Sequence, residues 1–353
     1  MINRAICLFL FEIFPLLAFY LFSLHILFPS SSYMVLGTIL ALPNMIRSLT
    51  TKGADAILLL FMGLLLLGSF LNLMITINGI GGSVVVIGNF ALTVYCIHHL
   101  PRLKYHAFLV FLVASIYILY SVLYLGQDPN EIFEYMGLSR NHGGLVLVIW
   151  ACFYCYITYE KERKISIIVP LIGLLAAYFM VGRSSLGILL TMFLLSLVIQ
   201  GSFLRATVLL SLLIFLLKYY WDDIVLFYEF SSFNEHGLES SRYAIWKSYF
   251  DNLDLASSLF GVETINLPVI SSYGGNPHNS FINLHRRLGL LAFIAFVIIS
   301  VRGFKKYFEC GEYYTILLLV LIYARIFFDS DFFIGPYDFV IYTILFYPFY
   351  NME

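Results

Sequence analysis

The residues best equipped for chemistry interrupt an otherwise apolar chain between Arg242 and Gly289. Arg242 lies in Ser-Ser-Arg242-Tyr-Ala-Ile-Trp246-Lys-Ser-Tyr249-Phe, and a polar loop leads from there to Asn276-Pro277-His278-Asn279-Ser280-Phe281. A guanidinium presents a rigid fork of donors to anionic oxygens, and an imidazole exchanges a proton near neutral pH. Asn276 is a good N-cap and Pro277 suits a first helical position, which predicts a helix with His278 at its N-terminus. Such an end attracts anions and disfavours protonation of the histidine. On that helix His278, Ile282, His285 and Gly289 share a face, Arg286 flanks them and Arg287 points away. Gly289 would leave the face open below His278. A lone histidine in an apolar helix is ordinarily a hydrogen-bonded core residue, but a lipid-facing helix does not begin with His278, Asn279, His285, Arg286 and Arg287 before turning apolar at Leu288.

Two other turns carry arginine. Tyr135-Met-Gly137-Leu-Ser-Arg140-Asn141-His142-Gly-Gly precedes one apolar run, and Gly182-Arg183-Ser184-Ser185-Leu-Gly187 joins two others with almost no loop, which sets Arg183 beside two hydroxyls. In the long polar loop, Tyr243, Trp246 and Phe250 recur at helical spacing, a stripe suited to a membrane interface, with Ser240 or Ser241 as cap. The plainer role for Arg242 is an anchor touching lipid phosphate.

These residues need a frame, and composition says which. Of 353 residues, 61% are hydrophobic and 12% charged, more apolar surface than a soluble fold can hide, so the chain is expected to be a polytopic membrane protein. Apolar runs far longer than barrel strands predict an all-α helix bundle. A net charge of −1 gives no case for nucleic acid. Cys7, Cys96, Cys152, Cys155 and Cys310 fall in spans or cytoplasmic loops, so they read as packing residues. The apolar run from Ala5 to Phe28 is too long for a signal peptide and reads as a retained first span.

About twelve spans are predicted, at 5–28, 33–46, 54–76, 84–99, 106–125, 143–159, 165–181, 185–200, 204–221, 278–301, 313–328 and 333–350, within a single membrane domain, 1–353. The second is short enough to be tilted or re-entrant. One large loop, 222–277, with short helices, separates spans nine and ten. Basic residues alternate between loops in a way that puts both termini in the cytoplasm and the large loop outside. Arg140, Arg183, Lys218, Arg242, Lys247, Arg286, Arg287 and Arg325 then lie on or near the outer side, against that bias. Basic residues so placed are functional candidates; snorkelling at the interface suffices for Lys218, Lys247 and Arg287. Asp329-Ser-Asp331 has a metal-pair spacing, but Arg325 nearby is placed to pair with it, and no metal site is expected. Asp222, Asp223, Asp251, Asp254 and Glu263 read as solvated loop acids.

The Gly182–Gly187 turn, Arg242-Tyr-Ala-Ile-Trp246, and His278-Asn279-Ser280-Phe281 with Gly289 eleven positions on resemble the O-antigen ligase and polymerase superfamily, and the Gly137–Gly144 segment looks like that family's Asn-containing turn. Motif order, span number and the large loop extend the resemblance over the whole chain. Two positions depart from the pattern: Gly182-Arg183 stands for the usual Ser-Arg, and no proline follows Asn141.

The resemblance implies a membrane bundle of the glycosyltransferase C type in a bacterial inner membrane, with its site facing the periplasm. It implies transfer of a glycan from undecaprenyl pyrophosphate to a sugar hydroxyl without nucleotide sugar, metal or other cofactor. His278 would be the base. Arg183 and Arg242, with Arg140 and Arg286, would hold the pyrophosphate, and Asn279, Ser184, Asn141 and Gly289 would support them. A polymerase, which also accepts an undecaprenyl-pyrophosphate-linked unit, fits the extra outer cations; membrane lipid and a chain-length co-polymerase would be its partners. The alternatives are an O-antigen ligase acting on lipid A core and a lipid or polysaccharide transporter. A transporter would place ionisable groups near mid-membrane, where the spans carry little besides Glu12.

Overall fold

In an apolar surrounding the backbone has only itself to bond to, and the long aliphatic and aromatic runs accordingly become helices. The computed structural model describes residues 7–25, 27, 30–51, 56–75, 81–129, 131–134, 140–180, 182–200, 207, 211, 218, 241–329 and 332–351, without the side chains of 51, 73–75, 81, 133, 134, 140 and 241. Among these residues there is no strand. The α-helices of six or more residues among them are α1 (Phe14–Ser23), α2 (Ser31–Thr51), α3 (Ala56–Ile75), α4 (Gly81–His99), α5 (Lys104–Leu119), α6 (Arg140–Glu162), α7 (Ile168–Phe179), α8 (Arg183–Ile199), α9 (Ser241–Asp251), α10 (Leu255–Phe260), α11 (Ser280–Glu309), α12 (Tyr313–Phe327) and α13 (Asp338–Asn351).

Among the described residues, four segments are long and apolar enough to cross a membrane: Gly82–Arg102, Lys104–Tyr124, Asn141–Glu162 and Ser280–Glu309. Shorter apolar helices accompany them at Phe9–Ser23, Ala56–Asn72, Ile168–Phe179, Arg183–Ile199 and Tyr313–Phe327. The predicted second span, set down as short, is the 21-residue α2, which accommodates Pro43 inside it. The predicted ninth span, apart from residues 207, 211 and 218, and residues 222–240 of the predicted loop, with Asp222, Asp223 and Ser240, lie outside the described residues, as does Asp331.

Helices α6 and α13 form the middle of the bundle. Trp150, Phe153 and Tyr156 of α6 are fully buried, with α5, α7, α8 and α12 packed around them. Helix α13 is buried from Asp338 to Phe346 against α4 and α11. The outer faces carry exposed Leu109, Ile116, Leu171, Leu175 and Val301, the surface that apolar solvent would cover.

The last helix starts later than its apolar pattern predicts, at Asp338 rather than at residue 333. Phe333 and Ile334 hold φ of 62° and 72°, a left-handed conformation costly for bulky side chains. It persists because it is over-determined. The Asp338 carboxylate accepts from the backbone N–H groups of Phe333 (2.9 Å), Ile334 (2.8 Å) and Gly335 (3.1 Å). Asn89 of α4 donates to Gly335 O (2.8 Å) and accepts from Phe339 N (2.9 Å). Asn283 of α11 donates to Phe332 O (2.7 Å). Arg287, assigned by its position to snorkelling, is close enough to Asp338 to act on its charge.

Replacing Asp338 with alanine leaves three buried N–H groups without their acceptor, at about 1–3 kcal/mol for each group that finds no substitute. The variant is expected to unfold at a clearly lower temperature in detergent, and Asp338→Asn, which keeps one oxygen, to lose less. Equal midpoints for wild type and Asp338→Ala would refute this role.

Candidate functional site

Arg325, in the last turn of α12, is 1% exposed, and its guanidinium gathers three chain ends. Nε donates to Ser185 Oγ at 3.0 Å, and Nη2 donates to the Asn141 carbonyl at 2.6 Å. Nη2 also stands 3.0 Å from Asp329 Oδ2. Helices α6, α8 and α12 thus meet at one buried cation whose charge is answered by Asp329, the pairing expected from sequence. Ser184 and Arg183 share the first turn of α8 with Ser185; Ser184 is half-buried and Arg183 exposed. Arg140 opens α6, and its side chain lies outside the described set.

The same end of α12 receives α9. Arg242 is half-buried, with its guanidinium carbon 5.5 Å from the centre of the Phe328 ring. Burial lowers the pKa of Arg242, Asp329 opposes that shift, and Arg325 adds to it, so both arginines act on the Asp329 carboxylate. Trp246, one turn further along α9, packs its ring 5.2 Å from Phe327 and donates from Nε1 to Pro277 O at 3.0 Å. Ser280 Oγ donates to the Asp329 carbonyl at 2.6 Å, which fastens the start of α11 to the same corner. Arg242, Arg325, Asp329, Ser185, the Asn141 backbone and the 277–280 turn are thereby gathered at one end of the bundle.

Three expectations for the 276–289 segment are corrected. The helix is capped by Asn279, not Asn276: Asn279 Oδ1 accepts from Phe281 N (2.8 Å) and Ile282 N (3.1 Å). His278 stands outside the helix with φ of 48°, and its N–H is donated to Asn276 Oδ1 at 2.8 Å. His278 therefore does not share a helical face with His285, and the end of α11 is occupied by a cap rather than open to an anion. Its half-buried ring meets Tyr273 edge to face, centres 6.2 Å apart. The third correction concerns Gly289, which interrupts α11 with φ of 75° and leaves no open face: a Cβ there would stand 2.6 Å from Leu259 O.

His285 is engaged on both nitrogens. Nε2 faces Ser258 O at 2.7 Å, so it carries the hydrogen, and Nδ1 accepts from the Tyr249 hydroxyl at 2.6 Å. Arg286 donates from Nε to Asn283 Oδ1 (2.8 Å) and from Nη1 to Thr264 Oγ1 (2.6 Å). These bonds turn it toward the loop that follows α10. Leu267 and Ile270 of that loop form a small core with Ile245 and Tyr249 of α9 and Ile282 of α11, while Tyr243 and Phe250 of the predicted stripe stay exposed. Asp254, expected to be a solvated acid, caps α10: its Oδ1 accepts from the Ser257 hydroxyl (2.6 Å) and from Ser257 N (2.7 Å), which hold its carboxyl below the usual carboxylate range, and its own N–H is donated to Ser257 Oγ (2.8 Å). A cavity of about 450 Å³ lies between α9, α10 and α11, lined chiefly by apolar groups including Trp246, Tyr249, Phe281, Phe293 and Phe327.

In the sequence Arg325 stands out only as a basic residue against the expected topology and a partner for Asp329; its hold on Ser185 and Asn141 has no local signal. Thr264 and Asn283 have none either. Arg325→Met removes the cation but leaves Asp329 buried, and breaking such a pair costs about 3–5 kcal/mol. Its unfolding midpoint in detergent is expected to fall well below that of the Arg325→Met/Asp329→Leu double variant; the reverse order would show that the pair is not what holds the corner. No family model, curated protein or solved structure matches the chain.

Proposed function

We propose that the protein is a lipid-linked oligosaccharide polymerase of the bacterial inner membrane, working at the periplasmic face with both termini cytoplasmic. It would move a glycan from undecaprenyl pyrophosphate to a hydroxyl of another undecaprenyl-pyrophosphate-linked unit. The observation that carries this is the juxtaposition of Arg242 with the Arg325–Asp329 pair beside a mainly apolar cavity. A polyprenyl pyrophosphate is a strong anion on a hydrocarbon chain, and its recognition calls for cations next to an apolar seat. Trp246 and Phe327 line the cavity; Arg242 is one helical turn from the first and lies over the neighbour of the second.

In the transfer, the acceptor oxygen bonds to the anomeric carbon as the bond from that carbon to the pyrophosphate oxygen breaks. The electron pair leaves on undecaprenyl pyrophosphate and the hydroxyl proton passes to the His278 imidazole, with inversion at carbon. Arginines facing the leaving group stabilise the charge that grows on it. Arg242 and Arg183 take that role, with Arg140 as a further candidate. Arg286, bonded to Thr264 and Asn283, contributes mainly by shaping the loop. Asn279 supports His278 by fixing the start of α11. Ser184 and Asn141 flank the contacts that Arg325 makes.

Incubating the purified full-length protein with a lipid-linked repeat unit alone is expected to give a ladder of lengthened chains. Product only after addition of lipid A core would instead identify a ligase, and no product with either would overturn glycan transfer. His278→Ala is expected to abolish the ladder while the protein still inserts; full activity would remove the base assignment. Arg242→Lys and Arg183→Lys are each expected to slow turnover on the order of tenfold to a hundredfold, because a point charge does not reproduce the guanidinium fork. Unchanged rates in both would sink the pyrophosphate role.

A further inference from the structure

Asn72 lies on α3, far in sequence from the candidate site residues, and is 1% exposed. Its Nδ2 donates to Phe260 O at 3.1 Å and to Arg286 O at 3.0 Å. Both acceptors are carbonyls, so the donor end of the amide must face them, and its two hydrogens match two acceptors.

Each of these carbonyls is an orphan of a chain break. The i→i−4 ladder cannot pass through Gly289 at φ 75°, ψ −179°, and the first carbonyl whose helical donor lies beyond that break is Arg286 O. Phe260 is the last residue of α10, where carbonyls have no helical partner. Unpaired, both would be costly in a buried, apolar place.

The backbones also approach too closely here for side chains. A Cβ on Gly261 would stand 2.2 Å from Arg286 O, and one on Gly68 would stand 2.2 Å from Leu288 O. Three segments, α3, the end of α10 and the break in α11, therefore cross at contact distance with one amide bonded to two of them. Arg286 and His285 precede the break and hold the loop through Thr264, Ser258 and Tyr249. That loop joins α9, with Arg242, to His278.

We infer that Asn72 is a positioning residue: it latches the 241–279 loop and the broken helix α11 to the frame at α3, and so sets Arg242 and His278 in register with the Arg183–Arg325 corner. The consequence for turnover rests on the polymerase assignment; the latch itself does not.

The test uses the full chain with exposed Cys7 and Cys310 replaced by serine and spin labels at Leu67→Cys on α3 and Leu255→Cys on α10, both exposed positions. Distance distributions are measured by double electron–electron resonance in lipid nanodiscs, alongside the ladder rate. With Asn72 in place a single narrow distance is expected. Asn72→Leu, similar in size but without donors, is expected to broaden it and to slow the ladder on the order of a hundredfold, the scale that a 1 Å misplacement carries. Asn72→Gln, which keeps both donors, is expected to restore much of that rate, a rescue that mere space filling would not give.

If Asn72→Leu fails to insert, Asn72→Asp, which gives up the two-hydrogen amide, carries the same two readouts. An unbroadened distance in the donor-lacking variant overturns the latch, and a broadened distance with a full ladder rate overturns the positioning role. Should even the unsubstituted chain lengthen no glycan, the polymerase assignment fails, while the distance measurement still upholds or overturns the latch.

Discussion

The buried guanidinium of Arg325 is the contact on which one end of the bundle depends. A charge removed from water is tolerable only with close partners, and Arg325 finds them on α6, on α8 and at the end of its own helix. The requirement works in both directions. Because the cation must be satisfied, the starts of α6 and α8 are held to the end of α12. Because they are held, Arg183 and Ser184 have a defined place at that corner. Asp329 then does double duty, with its carboxylate on Arg325 and its carbonyl on Ser280. The corner thereby reaches the start of α11.

A second constraint runs through the rest of the molecule: wherever a helix breaks away from water, a side chain must complete the backbone. Asn72 serves the break at Gly289, Asn279 caps α11, and Asn89, Asn283 and Asp338 support the left-handed pair Phe333–Ile334. Asn283 also accepts from Arg286, which connects that strained turn to the loop carrying Arg242. The amides are thus the joints of the frame and the arginines its charged surface. Strain of this kind is kept where the surroundings impose it, and Phe333, Ile334 and His278 all lie toward the end that holds the arginine corner.

His278 shows what such a frame can offer chemistry. Its backbone conformation is set by the Asn276 side chain before it and the Asn279 cap after it, so the imidazole projects from a fixed turn rather than from a helix face. His285 is the contrasting case. With a carbonyl on one nitrogen and a tyrosine hydroxyl on the other, it ties α9, α10 and α11 together, and its bonding capacity is spent on structure.

The amino-acid sequence by itself determined the class of this protein: its apolar runs dictate helices and its charge content excludes a soluble core. It also marked which basic residues run against the expected topology, because that bias is visible without coordinates. Local pattern could not choose between Asn276 and Asn279 as the cap of α11, since both are good caps. The choice was tertiary: Trp246 holds Pro277 O, Ser280 holds Asp329 O, and the turn between them admits a helix only from Ser280. The break at Gly289 looked like open space in sequence because a glycine declares only what is missing. The Leu259–Phe260 backbone takes that space, and the carbonyls at the crossing are served by Asn72, 188 and 214 residues away along the chain. Periodicity and capping are written in neighbouring residues; the pairing of an orphan carbonyl with a distant amide exists only once the chain has folded.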